Sequence, residues 1–206
     1  MITQINLDYT DYLSMKNLCN LFEICVIRGF LKNIARNLMK LKGKAIKLGD
    51  NINTDLIISG RYKFSITNIK ELSKHIMEDI NPGFSKKIIV GKTVLVAGKN
   101  FGMGSSREQA PLVIKESGII AVVANSFARI FYRNSFNIGL PLIETNTAKI
   151  KEGDILEIDL NKGTLKDKTK HIKLLAEPLP RIMQELLKAG GVVKYYKKYK
   201  RLPIAS

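Results

Sequence analysis

A glycine-rich turn between an apolar strand and a helix constrains the fold of this chain more than any other feature. Residues 93–97 predict a short buried strand, and residues 105–117 predict a helix. Between them stand Gly98, Gly102 and Gly104. Glycine tolerates positive φ angles and lets the backbone approach another group closely. The turn is therefore expected to lie against a ligand or against another part of the chain.

Two hydroxyls and a guanidinium follow the turn directly, as Ser105, Ser106 and Arg107. Ser105 and Glu108 have the spacing of a capping box, which predicts that the helix begins at Ser105. A helix start offers free N–H groups, and together with Arg107 these suit a carboxylate or a phosphate. The simpler interpretation is a helix cap followed by a surface arginine. Three glycines in seven residues favour the anion site.

The sequence matches two nucleotide-binding motifs only in part. Arg107 stands where the dinucleotide fingerprint needs its third glycine. Residues 91–93 have the end of a phosphate-binding loop, but position 86 is lysine and the segment runs into a strand. We therefore exclude both nucleotide motifs.

Strand and helix signals alternate along residues 39–206. The pattern predicts strands at 45–48, 56–58, 93–97, 119–124, 140–144 and 155–160, with a further strand within 164–175, and helices at 69–78, 105–117, 127–134 and 180–189. The economical architecture is an α/β fold in which helices flank a partly parallel sheet with a peripheral β-hairpin.

Residues 1–38 differ from the rest of the chain. They hold its only cysteines, Cys19 and Cys25, which are too few for a disulfide scaffold, a zinc site or an iron–sulfur ligand set. We interpret this segment as an N-terminal extension, disordered or loosely packed, upstream of a true start at Met39. No residue is assigned to a metal, and any cluster would belong to another chain.

The apolar run at residues 18–31 is a poor membrane span because it contains Glu23 and Arg28. It also lacks the pattern of a secretory signal peptide. A cytoplasmic location is the expectation.

The net charge of +16 raises the question of nucleic acid binding. Residues 181–206 are the most basic part and interleave lysines with Tyr195, Tyr196 and Tyr199, a mixture that can bind nucleic acid. The alternative is a solvated helix end, where cations complement the helix dipole. We favour the helix end because no recognisable nucleic-acid module accompanies the basic residues.

Three segments in a fixed order resemble one family. They are residues 49–55 (Gly-Asp-Asn-Ile-Asn-Thr-Asp), residues 98–108 (Gly-Lys-Asn-Phe-Gly-Met-Gly-Ser-Ser-Arg-Glu) and residues 126–144, which begin Ser-Phe-Ala-Arg-Ile-Phe-Tyr-Arg-Asn. The chain is similar to small subunits of 3-isopropylmalate dehydratases, in the aconitase superfamily. The resemblance implies a swivelling β/β/α domain over residues 39–206. It also implies a separate large subunit that carries a four-iron–four-sulfur cluster.

The implied chemistry is reversible dehydration and rehydration of a hydroxy-dicarboxylate, which isomerises 2- and 3-isopropylmalate in leucine biosynthesis. Matching the family motif residue by residue, Ser105 would be the general base, and Ser106 and Arg107 would hold a substrate carboxylate. A serine base needs N–H groups, a nearby cation and a dry site to favour the alkoxide.

Further positions are assigned through the same resemblance. Thr54 and Asp55 would support the site, as would Gly102 and Gly104, while Asn53 departs from the family's aspartate. Asp55 either orients an arginine or hydroxyl or caps its own turn. Met103, where relatives often carry cysteine, leaves the chemistry unaffected.

The loop that reads the substrate's variable arm in this family contains Tyr62, Lys63 and Phe64 here. Phe64 stands where a homoaconitase-like pattern would have arginine, and a phenyl ring suits an isopropyl group. Lys63 could bind an anion, so a homoaconitase or a related hydroxy-diacid hydro-lyase is the alternative. We favour isopropylmalate.

Other interpretations compete with the enzyme subunit. They are a basic nucleic-acid-binding protein and a stand-alone anion-binding or phosphosugar enzyme. Arg129 and Arg133 lie four residues apart on one predicted helix face and are interpreted as structural pairing residues. The order of the three segments favours the enzyme subunit.

Overall fold

The computed structural model describes residues 39–203 of the chain. The interpretation of residues 1–38 as an extension lies outside this range. Within it, the strands are β1 (Lys40–Lys47), β2 (Thr93–Val96), β3 (Ile119–Ala124), β4 (Leu142–Glu144), β5 (Ile155–Asp159), β6 (Thr164–Asp167) and β7 (Ile172–Leu175). The helices are α1 (Thr54–Ile57), α2 (Gly60–Lys63), α3 (Ile69–Ser73), α4 (Gln109–Glu116), α5 (Arg129–Ile138), α6 (Arg181–Ala189) and α7 (Val192–Tyr199), with a 3₁₀ turn at Phe84–Lys87.

The strands form one mixed sheet in the order β4-β3-β2-β1-β5-β6-β7. The first four are parallel, and β5, β6 and β7 continue the sheet as an antiparallel meander from the edge of β1. The predicted partly parallel sheet with flanking helices is confirmed. The predicted hairpin is a three-stranded extension of the same sheet, because residues 164–175 contain two strands.

Parallel pairing places the ends of three strands at one edge of the sheet. Lys47 at the end of β1 lies opposite Val96 at the end of β2, and Val96 lies opposite Val123 in β3. The segments that follow these strands therefore meet, although Lys47 and Val96 are 49 positions apart in the sequence. Such an edge is where ligands bind in open α/β sheets.

The core lies around the central strands and the helices that cross between them. Every residue of β2 is buried, and so are Val122 and Val123 in β3. From α4, Val113 and Ile114 are fully buried. Burying one aliphatic side chain of this kind contributes about 1.5–3 kcal/mol, so the parallel half supplies a rigid base for the edge described above.

The helix after the glycine turn begins later than predicted. Glu108 precedes its first residue and makes no side-chain cap, so the predicted capping box with Ser105 is wrong. Pro111 gives the reason. A helix from Ser105 would place this proline in its interior, where it lacks an N–H and clashes with the carbonyl four residues before. In α4 it lies in the first turn, which tolerates proline.

Residues 56–58 were predicted as a strand, and this is wrong. They belong to α1 and its end, since the side chain of Asn53 accepts a hydrogen bond of 2.7 Å from the N–H of Leu56. Asparagine is a favoured N-cap, and the helix it starts orients Thr54 and Asp55.

Three of the C-terminal basic residues, Lys194, Lys197 and Lys198, lie on α7, which follows the end of α6 at Gly190. Lys197 and Lys198 occupy the last turn of α7, and Tyr195 is buried. These positions agree with the interpretation of the basic residues as a helix end. No helix within residues 39–203 has the length and apolar character to cross a membrane.

Candidate active site

The glycine turn after β2 is held by the loop after β1. The N–H of Gly102 donates to the carbonyl of Ile52 at 2.7 Å, and the N–H of Thr54 donates to the carbonyl of Met103 at 2.8 Å. The Thr54 hydroxyl donates to the carbonyl of Ser105 at 3.1 Å. The backbone that carries Ser105 is therefore fixed by hydrogen bonds from a distant part of the chain.

Gly102 lies directly against the first turn of α5. Its φ is +79°, and a Cβ atom there would lie 2.2 Å from Cγ of Phe131. Phe131 packs edge-on to Phe101 with ring centroids 5.3 Å apart. The predicted close approach at this glycine is confirmed, and the group approached is an aromatic side chain of the protein itself.

Polar residues before the turn were not singled out as site residues, although they shape it. The carboxylate of Asp50 accepts from the N–H of Lys99 at 2.7 Å. Asn51 and Asn100 both have positive φ, and the Asn100 amide donates to the Asn51 side-chain oxygen at 3.1 Å. Asparagine tolerates the left-handed region. The two asparagines stand at equivalent places in the two loops, and this was the sequence signal that could have identified them.

Ser105 and Ser106 are exposed, whereas the side chain of Arg107 is largely buried. Its guanidinium forms an ion pair with Asp55 and donates to the carbonyl of Ile58 at 3.2 Å. Two fixed partners on one guanidinium restrict its orientation. Of the two alternatives for Asp55, the structure shows the first, because it pairs with Arg107 while Asn53 caps the turn.

The position of Ser105 relative to α4 also differs from expectation. Since α4 begins at Gln109, four residues beyond Ser105, its free N–H groups do not begin at the serine. The backbone N–H of Arg107 donates to the Ser105 carbonyl at 2.7 Å, so the main chain between the two residues forms a tight turn.

The predicted substrate loop forms α2 and its end, two residues after Ile58. Phe64 is 84% exposed, and the ammonium of Lys63 lies 5.5 Å from the centre of its ring. Tyr62 instead faces the protein, where its ring stacks on His75 at 4.0 Å. Lys63 and Phe64 therefore lie near the edge of the sheet that carries Arg107, whereas the ring of Tyr62 contacts another part of the protein.

Arg129 and Arg133 are both exposed on α5. None of the ion pairs within residues 39–203 involves either arginine. The interpretation of these residues as structural pairing partners thus finds no support in the described part of the chain. Over the same range, no three His, Cys, Asp or Glu side chains converge as a metal-binding group.

A cleft of about 470 Å³ lies on the antiparallel half of the sheet, away from this edge. Its walls include Lys40 and Lys42 of β1, Lys166 of β6 and Lys173 of β7. Salt bridges of 3.6 and 3.7 Å join its carboxylate Glu157 to lysines. It shares no residue with the turn that carries Ser105.

Comparison with known proteins gives consistent matches. The family model described as Aconitase C-terminal domain matches residues 87–148. The 3-isopropylmalate dehydratase small subunit of Halothermothrix orenii is 53% identical over 161 residues, which cover 77% of this chain and 96% of that protein. The 3-isopropylmalate dehydratase small subunit 2 of Archaeoglobus fulgidus is 52% identical over 161 residues, covering 78% and 97%. A crystal structure of 3-isopropylmalate dehydratase from Methanocaldococcus jannaschii matches with a TM-score of 0.75 at 50% identity, covering 79% of this chain and 96% of that one.

Proposed function

The chain belongs to the family of 3-isopropylmalate dehydratase small subunits, and from this membership we propose that it is the small subunit of a hydro-lyase that interconverts 2- and 3-isopropylmalate. The active site lies between this chain and a large subunit. Residues 39–206 form the swivelling domain that covers the site.

One observation supports this proposal above the others: a general-base candidate and an anion-binding group lie on the same fixed turn. Ser105 is exposed on a backbone that Thr54 holds. Arg107, two residues later, is oriented by Asp55 and Ile58. A substrate carboxylate at Arg107 would bring the neighbouring carbon toward the Ser105 hydroxyl. Orientation of this kind can supply a large part of a rate enhancement.

Ser105 removes the proton, and Ser106 and Arg107 bind the carboxylate on which charge develops. A free serine hydroxyl is almost entirely protonated at neutral pH, so the site must favour its ionised form. Arg107 would supply positive charge, part of which Asp55 offsets, and covering the exposed turn with the large subunit would exclude water and strengthen the remaining interaction.

The four-iron–four-sulfur cluster is assigned to the large subunit. Such clusters take several cysteine thiolates, and this chain contains two cysteines in total. The chemistry that the bound cluster supplies is Lewis-acid activation of the departing hydroxyl. The part of this chain is to hold the substrate and to move the proton at Ser105 Oγ.

The exposed ring of Phe64 supports isopropylmalate as the substrate, because it can cover a branched alkyl group but cannot pair with a carboxylate. Homoaconitase-type activity is the second candidate. It is favoured by Lys63, whose ammonium lies 5.5 Å from the centre of the same ring and could reach an acidic arm.

The proposal is tested by anaerobic co-expression with the cluster-bearing large subunit and assays of isopropylmalate, homoaconitate and citraconate-type acids side by side. We expect Ser105→Ala to lower kcat about 10²–10⁴-fold with a small change in KM. Ser117→Ala is the matched control, since this hydroxyl bonds the Ile114 carbonyl at the far end of α4. Full activity of Ser105→Ala, or activity of the single chain without iron, would contradict the proposal.

A further inference from the structure

Two side-chain contacts attach α2 to a second part of the chain, and a third lies within that second part. The ring of Tyr62 stacks on the imidazole of His75, with centroids 4.0 Å apart and planes inclined by 16°. His75 Nδ1 lies 2.9 Å from a carboxylate oxygen of Glu78. Arg61 forms an ion pair with Asp79. The side of α2 that carries Tyr62 is thus occupied by contacts within the protein.

Glu78 connects the two stacked rings. Its pKa is lowered first by the hydrogen bond with His75 and then by hydrogen bonding with Tyr62. The pKa of the Tyr62 phenol is raised, above all by its hydrogen bond with Glu78. The Glu78 carboxylate therefore lies near both rings, and the direct contact between His75 and Tyr62 is the stacking of their rings.

The segment that carries His75 is itself rigid. Ile76 and Met77 are fully buried, and the N–H of Met77 donates to the carbonyl of Ile57 at 2.9 Å. Met77 has a φ of +51°, and a bulky residue keeps this conformation only where its surroundings hold it there. His75 therefore stands on a support that does not depend on α2.

The opposite is true of α2. An isolated helix of four residues is unstable in water, so its position depends on its attachments. It leads directly into Phe64, which is 84% exposed. The placement of this ring is consequently set by where Tyr62 is held and not by packing of the ring itself.

We propose that His75 is a positioning residue for substrate selection: by stacking on Tyr62 and bonding Glu78, it fixes α2 and so places Phe64 for the variable arm of the substrate. This inference rests on the proposed function, in which Phe64 contacts that arm.

A merely structural role for His75 makes a different prediction. If the histidine only stabilised the fold, its loss would reduce the amount of active enzyme and lower the rates for all substrates equally. If it positions Phe64, its loss changes the ratio of kcat/KM between a substrate with an isopropyl arm and an analogue with a methyl arm. The ratio is independent of the concentration of active enzyme.

The experiment compares reconstituted holoenzymes containing wild-type small subunit, His75→Ala, His75→Phe or Glu78→Gln. We expect His75→Ala to raise KM for 2-isopropylmalate about 10-fold, the scale of a lost apolar contact in a binding pocket, with kcat nearly unchanged. The methyl-armed analogue should be affected much less. Glu78→Gln should stay close to wild type, because its amide oxygen can still accept from the His75 ring.

His171→Ala is the matched control. His171 is the second of the chain's two histidines and is exposed in the turn between β6 and β7. The ratio of the two substrates should not change in this variant. Should His75→Ala fail to fold, His75→Phe replaces it, since this variant retains a stacked ring and loses the bond to Glu78. A substrate ratio that differs from wild type would then support the inference, and a wild-type ratio would overturn it.

A double-mutant cycle gives the sharpest outcome. In a Phe64→Ala background, His75→Ala should alter the substrate ratio no further, because the group that it positions is gone. Additive effects, or a wild-type ratio in His75→Ala, would overturn the inference alone. A wild-type holoenzyme inactive on isopropylmalate would overturn the proposed function and the inference with it.

Discussion

The hydroxyl of Thr54 donates a hydrogen bond of 3.1 Å to the carbonyl oxygen of Ser105. Thr54 is buried at the start of α1, and its N–H also binds the glycine turn at Met103. Two bonds from one residue therefore define the backbone on which the proposed base stands.

Replacing Thr54 with valine should lower kcat of the holoenzyme about 10-fold. Valine has nearly the same shape but cannot donate to Ser105, and one such bond is worth about 0.5–1.5 kcal/mol. Steady-state kinetics check this, and Thr54→Ser should recover most of the rate. Thr145→Val is the control, since its hydroxyl donates to the distant Leu175 carbonyl at 2.8 Å. Equal losses in the two valine variants would count against a role for Thr54 at the site.

Phe64→Arg should shift substrate preference toward diacids with an acidic arm. The exposed position accepts a guanidinium without disturbing the core, and arginine pairs well with carboxylate. The measurement is the ratio of kcat/KM for homoaconitate to that for isopropylmalate, which should rise about 10-fold or more. Phe64→Leu keeps an apolar group and should leave the ratio near its original value. An unchanged ratio in Phe64→Arg would remove the basis for choosing isopropylmalate.

Gly102→Ala should destabilise the chain by about 3 kcal/mol. The new Cβ would lie 2.2 Å from Phe131 Cγ, at a φ of +79°, so strain and overpacking both contribute. Denaturant unfolding of the full chain measures the effect. Gly49→Ala is the control, because nothing lies within 4 Å of its Cβ position. It should change stability by less than about 0.5 kcal/mol, and a similar loss in both variants would refute the packing argument.

The stability of the folded chain should decrease in acid because a buried carboxylate becomes protonated. Asp154 is 4% exposed and forms an ion pair with Lys170. Burial raises the pKa of Asp154, but hydrogen bonds from Lys170 and from the N–H of Lys151 outweigh it and leave the pKa lowered. Stabilisation by the ionised carboxylate is therefore complete above the unfolded pKa of about 3.9. It is lost as pH falls through the lower folded value.

Thermal unfolding between pH 2 and 7 checks this expectation. Wild type should lose stability below about pH 4, and Asp154→Asn should be less stable at neutral pH with a shallower acid slope. Glu71→Gln, in an exposed pair with Lys74, should follow the wild-type curve. Parallel curves for wild type and Asp154→Asn would show that this carboxylate does not carry the acid sensitivity.

Several parts of the fold could be predicted because they depend on local pattern. The apolar run of β3 is unbroken, and its predicted bounds, residues 119–124, agree with the structure. The end of the predicted helix at residue 189 is also confirmed, and the glycine that follows it, Gly190, has a positive φ. The order of the three family segments predicted the family, which the comparisons confirmed.

Other parts were decided by contacts between distant residues. The start of α4 is an exception, because it follows from Pro111, a local signal that the capping-box pattern obscured. The pairing of Asp55 with Arg107 and the stacking of Tyr62 on His75 have no sequence signature, because the partners are 52 and 13 residues apart. Tyr62 was assigned to the substrate through the family resemblance, and the stacking of its ring on His75 could not be predicted.

The amino-acid order alone determined the alternation of strands and helices, the need for glycine at residue 102 and the set of chemical groups available. Only the tertiary structure decided which of these groups meet, since parallel pairing of β1 with β2 brings the loops after them to one edge. The physical reason is that apolar periodicity and turn chemistry act over a few residues. The orientation of Arg107 and the backbone at Ser105 depend instead on hydrogen bonds and charges from loops about 50 residues away.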